Sequence, residues 1–214
     1  GATYQFGIVT QKNVDPIIGL MNDMGADGID IDYENQPRCT GMNTAQLNCS
    51  TDKDVENIIS MFRTSLPKDK MLTAATWSVG AYGSSKFPTT TYLPLSDYSG
   101  LFVNPLKVVG GKLNEVYIMS YDAGNTSTTG YNPKQALLAY ADIYPIDRLY
   151  LGLEVPNEAW GGNVLTVAQG LEYANYVKEH KAAGVMLWSL HKPSPAGETA
   201  NDYLQPICRG YGLS

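Results

Sequence analysis

Three observations predict an α/β fold for this chain. Five short runs rich in Ile, Leu, Val, Ala and Tyr recur, at 27–34, 71–77, 115–122, 148–154 and 184–190. The segments between several of them carry apolar residues at helical spacing. Each run also has an acid or a tryptophan at or near its end: Glu34, Trp77, Asp122, Glu154 and Trp188. Nearly continuous apolar strands that alternate with helices make a parallel sheet covered by helices, and such sheets gather their chemistry at the carboxyl ends of strands. With 214 residues, 43% of them hydrophobic and no linker or low-complexity tract, one domain spanning 1–214 with a substantial core is expected.

The elements follow in order. Pro16 stands where a first helical turn would tolerate it, after Asp15, and IIGLMNDM runs to Gly25, a helix stop. The first strand, DGIDIDYE, comes next. After it, Ser50 or Thr51 can cap a helix whose Val55, Ile58, Ile59 and Phe62 fall on one face, with Pro67 beyond its end. MLTAATW (71–77) reads as a buried strand. The Gly/Ser/Pro/Tyr-rich stretch after it is too long for a mere connector, so it is expected to form part of a binding face. EVYIMSYD (115–122) is the third strand, Asn132 and Pro133 open a helix, and RLYLGLE (148–154) is the fourth strand. Thr166 and Gln169 form a capping box for a helix ended by Gly184, and GVMLWSL (184–190) is the fifth strand.

Within DGIDIDYE the side chains alternate with the two-residue period of a strand. Asp30, Asp32 and Glu34 share one face; Ile29, Ile31 and Tyr33 share the other. Neighbouring acids on that face lie roughly 6 to 7 Å apart along the strand, near enough for their charges to couple where water is scarce. A merely solvated strand face has no need of such self-repulsion. A metal site is the weaker alternative, because a strand supplies no turn to wrap oxygens around a hard cation. The reading preferred is a proton-transfer site in which the stacked acids raise the pKa of the terminal one. No metal ligand set and no cofactor motif is evident; His180 and His191 are lone histidines without ligand spacing.

A net charge of −6 without any Lys/Arg run argues against nucleic acid or an anionic membrane surface as partner. No run reaches the roughly 18 apolar residues of a spanning helix, and the first residues lack the pattern of a signal peptide. Cys39 and Cys49 close a short loop and could bridge it, leaving Cys208 over. That loop, with the sequons at Asn48 and Asn125, leans toward a secreted, extracellular protein.

DGIDIDYE resembles the D-G-x-D-x-D-x-E signature of family 18 glycoside hydrolases, the chitinases and their relatives. Met119-Ser120-Tyr121-Asp122 is similar to that family's later M-x-Y-D segment, and Trp188 to its last-strand tryptophan, in the same order along the chain. The resemblance implies a (β/α)8 TIM-barrel type, with the acidic motif on the fourth strand. It implies that Glu34 protonates the glycosidic oxygen, that Asp32 orients the substrate acetamido group and that Asp30 shares a proton with Asp32. Tyr121 would hold the acetamido carbonyl, Asp122 would contact the same sugar, and Trp188 would floor the subsite. Met119, Trp77, Tyr33 and Glu154 are carried as further substrate-binding candidates, and Tyr82, Tyr92 and Trp160 as rings that could stack on sugars. Asp27 and Gly28 look structural.

The chemistry of the row agrees with that family's route. All three acids leave one strand face, so none stands across a sugar from another, as an acid and a carboxylate nucleophile would. Substrate-assisted catalysis, in which the 2-acetamido oxygen attacks, removes that need and implies chitin or N-acetylglucosamine oligosaccharides as partners, with retention at the anomeric carbon. The alternative is a non-hydrolytic chitin-oligosaccharide-binding lectin of the chitinase-like kind. Such proteins usually lose the terminal acid, whereas Glu34 is present. Only about five βα units, family strands four to eight, are counted where a full barrel has eight. An incomplete barrel is therefore expected, completed by a missing N-terminal segment, of which Gly1-Ala2 would be a remnant, or by a second copy of the chain.

Overall fold

The computed structural model describes residues 9–192 and 197–212; the expectation for Gly1-Ala2 lies outside them. Five parallel strands form one sheet in the order β1 (Gly28–Asp32), β4 (Met71–Trp77), β5 (Glu115–Met119), β6 (Leu149–Glu154) and β7 (Gly184–Trp188). A two-residue hairpin pair, β2 (Cys39–Thr40) and β3 (Asn48–Cys49), stands apart. Every strand of the large sheet lies beside the next one in sequence, the winding a barrel requires. Among the described residues β1 and β7 are its two edges. A groove of about 540 Å³ runs along β1, between Ile29 and Ile31 on the strand and Lys12, Ile17 and Phe62 on the helices beside it.

Parallel partners point to the same side of a sheet, so the register sorts the side chains into two faces. Ile31, Ala74, Val116 and Leu149 align on one face and are buried beneath helices. On the other, Asp30 aligns with Thr73 and Glu115, Asp32 with Ala75, Tyr117, Tyr150 and Gly184, Trp77 with Met119, and Glu154 with Trp188. This second, concave face holds almost every polar group in the sheet. Gly28 opens β1 because the strands pass too closely for anything larger: a Cβ there would fall on the Met71 carbonyl oxygen, far inside van der Waals contact.

The helices are α1 (Gln11–Asp23), α2 (Asp52–Ser65), α3 (Val103–Val109), α4 (Pro133–Ala141), α5 (Val167–Glu179) and α6 (Ala200–Tyr211). Several starts follow local chemistry. The Asn132 side chain accepts the Lys134 N–H at 3.0 Å, and Thr166 and Gln169 cap each other's backbone at 3.2 and 2.9 Å. Val55, Ile58, Ile59 and Phe62 of α2 are all buried, as their spacing predicts.

Other expectations need correction. α1 starts five residues before Pro16, at a Thr10 cap whose backbone N–H donates to Asn13 at 3.1 Å, so the proline sits inside the helix. At the start of α2, Thr51 occupies the cap position without a side-chain bond, and Asp52 instead receives the Cys49 N–H at 3.0 Å. The long stretch after β4 both covers the core and lines a cavity, through Leu95, Asp97 and Ser99. Tyr82 is 0% exposed and packs on Tyr92 at 5.7 Å, so these two rings fill the core. α3 grows out of its far end.

Candidate active site

The acidic row occupies the concave face at the carboxyl end of β1. Thr73, its ladder partner on β4, donates to Asp30 at 2.5 Å. Both Asp30 and Asp32 remain open to solvent, yet the walls of the hollow shield them enough to weaken hydration of their charges. Burial raises the Asp30 carboxyl, the Thr73 hydrogen bond opposes the rise, and the Asp32 charge adds to it. Asp32 is pushed up to about 6, first by burial, then by the charge of Glu34 and a hydrogen bond with it. Asp30 and Asp32, the first two acids of the row, are therefore both raised. The Asp32 carboxyl thus keeps its proton up to about pH 6, with the charge of Glu34 among the causes.

Tyr121, two residues past the end of β5, stands near Asp32 and Glu34. Burial pushes its hydroxyl well above the ordinary range, and Glu154, Asp32, Asp122 and Glu34 each add to the rise. Four carboxylates thus act on one phenol, which keeps its proton at neutral pH and can donate it to a ligand oxygen. Below it, Tyr117 and Tyr150 both donate to Glu115, at 2.6 and 3.2 Å, and pin the floor of the hollow.

Trp188 closes the far side, 54% exposed at the end of β7 in register with Glu154. Trp77 stands on the same concave face, but Tyr98 stacks on its ring with centroids 3.9 Å apart and planes 12° from parallel. One ring face is therefore taken, and Trp77 is a wall of the site with a single face to offer. Met119, its ladder partner, lies beside it, half-buried.

Tyr33 does not reach the hollow. It lies on the opposite face of β1 from the acids and is 2% exposed, in the core with α2. Its place in the motif comes from packing, and its assignment to substrate binding is withdrawn. Glu154 faces the right way but is 3% exposed, held by an ion pair with Lys192, which also donates to the Asn157 carbonyl. Burial raises the Glu154 carboxyl and Lys192 opposes the rise. Asp122 is engaged as well: its carboxylate accepts the Trp160 N–H at 2.8 Å, and its own N–H donates to Glu158 at 2.9 Å.

Lys192, Glu158 and Tyr98 carry the surroundings of the site and escaped sequence reasoning. Glu158 stands in the loop after β6, four residues past the expected strand end, and only a search of that loop for acids could have found it. Cys39 and Cys49 form the expected disulfide, which seats the β2–β3 hairpin against Gly100; Cys208 is free. Just past Glu34 a cavity of about 740 Å³ is lined by Gln36, Arg38 and Met42 on one side and Leu95, Asp97 and Ser99 on the other. Among the described residues no group of His, Cys, Asp or Glu side chains is gathered to hold a metal ion, and no helix is long and apolar enough to cross a membrane.

No family model and no curated protein matches the sequence. Solved structures do match the fold. A family 18 chitinase of Pseudoalteromonas aurantia is 18% identical with a TM-score of 0.65, over 94% of this chain and 66% of that one. The Group IV chitinase of Ostrinia furnacalis, in complex with allosamidin, is 13% identical with a TM-score of 0.65, over 95% of this chain and 74% of that one. A class V chitinase of Nicotiana tobaccum in complex with NAG4 is 14% identical with a TM-score of 0.63, over 95% and 74%. Five parallel strands, wound in order with an acidic row on their concave face, give this chain the fold of the family 18 chitinases, as an incomplete TIM barrel.

Proposed function

We propose that this chain is a glycoside hydrolase that cleaves β-1,4 bonds of chitin or N-acetylglucosamine oligomers with retention, by substrate-assisted catalysis. The carrying observation is the row of Asp30 and Asp32 on one face of β1, followed by Glu34, with Tyr121 near enough to feel the charges of Asp32 and Glu34. Glu34, the last acid of the row, gives its proton to the glycosidic oxygen as the bond to the anomeric carbon breaks. The acetamido oxygen of the same sugar forms the new bond to that carbon. Asp32 holds the acetamido N–H, Asp30 takes part of the Asp32 proton, and Tyr121 donates to the acetamido oxygen. Water then opens the cyclic intermediate, with Glu34 accepting its proton, and configuration is retained.

The remaining carboxylates support this route over a carboxylate nucleophile. Glu154 is buried on Lys192, and Asp122 is bonded to a backbone N–H, so neither is free to attack a sugar across the hollow. Trp188 offers an open ring for the apolar face of the sugar. The disulfide supports an oxidising, extracellular setting. The test is incubation with chitin oligomers. Shorter oligomers should appear, oligomers without acetyl groups should stay intact, and Glu34→Gln should bind without cutting. Binding by both forms with cleavage by neither would make the chain a chitin-binding lectin instead.

A further inference from the structure

The loop after β6 lifts Trp160 into solvent at 72% exposure, although everything around its backbone is tied down. Asp122 accepts the Trp160 N–H at 2.8 Å. Glu158, two residues before the tryptophan, accepts the Asp122 N–H with one oxygen at 2.9 Å and the Asn163 amide with the other at 2.6 Å. Asn163 in turn accepts from Asn125 at 3.2 Å, and Thr128 donates to the Gly161 carbonyl at 3.2 Å. Four hydrogen bonds thus stitch the loops after β5 and β6 together around the exposed ring, and a fifth, between Asn163 and Glu158, braces the second loop. They also touch directly: Gly161, at φ +75°, presses on Gly124 so closely that a Cβ would fall on its backbone nitrogen. Glu158 is shielded enough within this stitching for burial to push its carboxyl to about 7.

A lone exposed tryptophan is common on protein surfaces. One that stands in the loop after β6, the strand beside that of Trp188, with its backbone fixed by Asp122, the residue next to Tyr121, is a preorganised platform, because a fixed ring loses little freedom when a flat ligand settles on it. We propose that Trp160 stacks on a further sugar unit of the oligosaccharide, beyond the unit at the acidic row, and that Glu158 is the positioning residue that holds the Trp160 arm through Asp122. This rests on the chitin reading and extends it, by naming what selects longer oligomers over short ones. The ring offers an apolar surface to the axial C–H groups of a pyranose and makes no demand on its hydroxyls.

The experiment is calorimetric titration with the chitin disaccharide and tetrasaccharide, made in the Glu34→Gln background so that nothing is cut. Trp160→Ala should weaken tetrasaccharide binding about two- to tenfold, the range of a single aromatic stacking contact, and leave the disaccharide unchanged. Its side chain is exposed, so its thermal midpoint should stay at the parent value. Glu158→Ala should reproduce the tetrasaccharide loss, yet add nothing in the Trp160→Ala background, an interaction that a merely structural role would not give. Equal tetrasaccharide affinity with and without Trp160 overturns the platform, and additive losses overturn the positioning role. If the parent binds neither oligomer, the chitin reading itself falls, and the platform falls with it.

Discussion

Replacing Glu34 by glutamine tests the acidic row at two points. The substitution keeps the shape of the side chain and removes its charge and its titrating proton. Asp32 titrates near 6 against an ordinary 3.8, and burial is the largest cause, followed by the charge of Glu34 and the hydrogen bond with it. Removing that charge should lower Asp32, because a neighbouring anion no longer favours its protonated form, while burial remains. The fall is therefore partial, about one pH unit of the two. Carbon-13 NMR of the Asp32 carboxyl, followed from pH 3 to 8, reads it directly. Because the folded carboxyl sits above its unfolded value, it stabilises the fold below about pH 4, and that contribution is lost as pH rises through 6. Glu34→Gln should flatten this part of the stability profile. In the same variant the loss of the proton donor should cost about 10²- to 10⁴-fold in cleavage, with binding kept. An Asp32 that titrates near 4 in the parent, or one indifferent to Glu34→Gln, would refute the coupling of Asp32 to Glu34.

Other consequences can be checked separately. Lys192→Met should destabilise the fold by about 3 kcal/mol in urea unfolding, because it strands a buried Glu154 charge; adding Glu154→Gln should recover part of the loss. Glu158, raised to about 7 in the fold, stabilises below about pH 4.5 and ceases to do so as pH rises through 7. The parent's thermal midpoint should consequently drop between pH 5 and 8 more steeply than that of Glu158→Gln. Changing Cys39 and Cys49 together to serine opens a loop with a sequence separation of 10 and should cost about 3 kcal/mol, measured by denaturant unfolding under oxidising conditions.

Much of the architecture could be read in the residues themselves. β4 runs from Met71 to Trp77, as its apolar run predicts, and α5 begins at the Thr166–Gln169 box. Such elements carry their own start and stop signals within a few residues. α3 and α6 went unseen for the opposite reason: one is seven residues long with Pro105 near its start, the other has Pro206 inside it, and both are held by packing that local pattern does not report. The site divides in the same way. Asp30 and Asp32 are legible because a period of two puts them on one face of β1, and Glu34 follows two residues past its end. The partners of Glu154 and Trp77, Lys192 and Tyr98, arrive from 38 and 21 residues away and depend on how loops close over the sheet. Tyr33 was carried along with the acids of its motif, whereas the same alternation turns it into the core.

Gly28 sits two positions before the first acid and takes no part in any chemistry, yet the spacing of the whole row from β4 depends on its bare backbone. A single methyl group there would wedge the two strands apart and carry Asp30, Asp32 and Glu34 away together. Proton transfer that relies on close alignment can lose about a hundredfold from a displacement near 1 Å. The smallest residue in the motif thereby acts as its ruler, and a change with no polar atom could abolish the proposed hydrolysis with every acid still present.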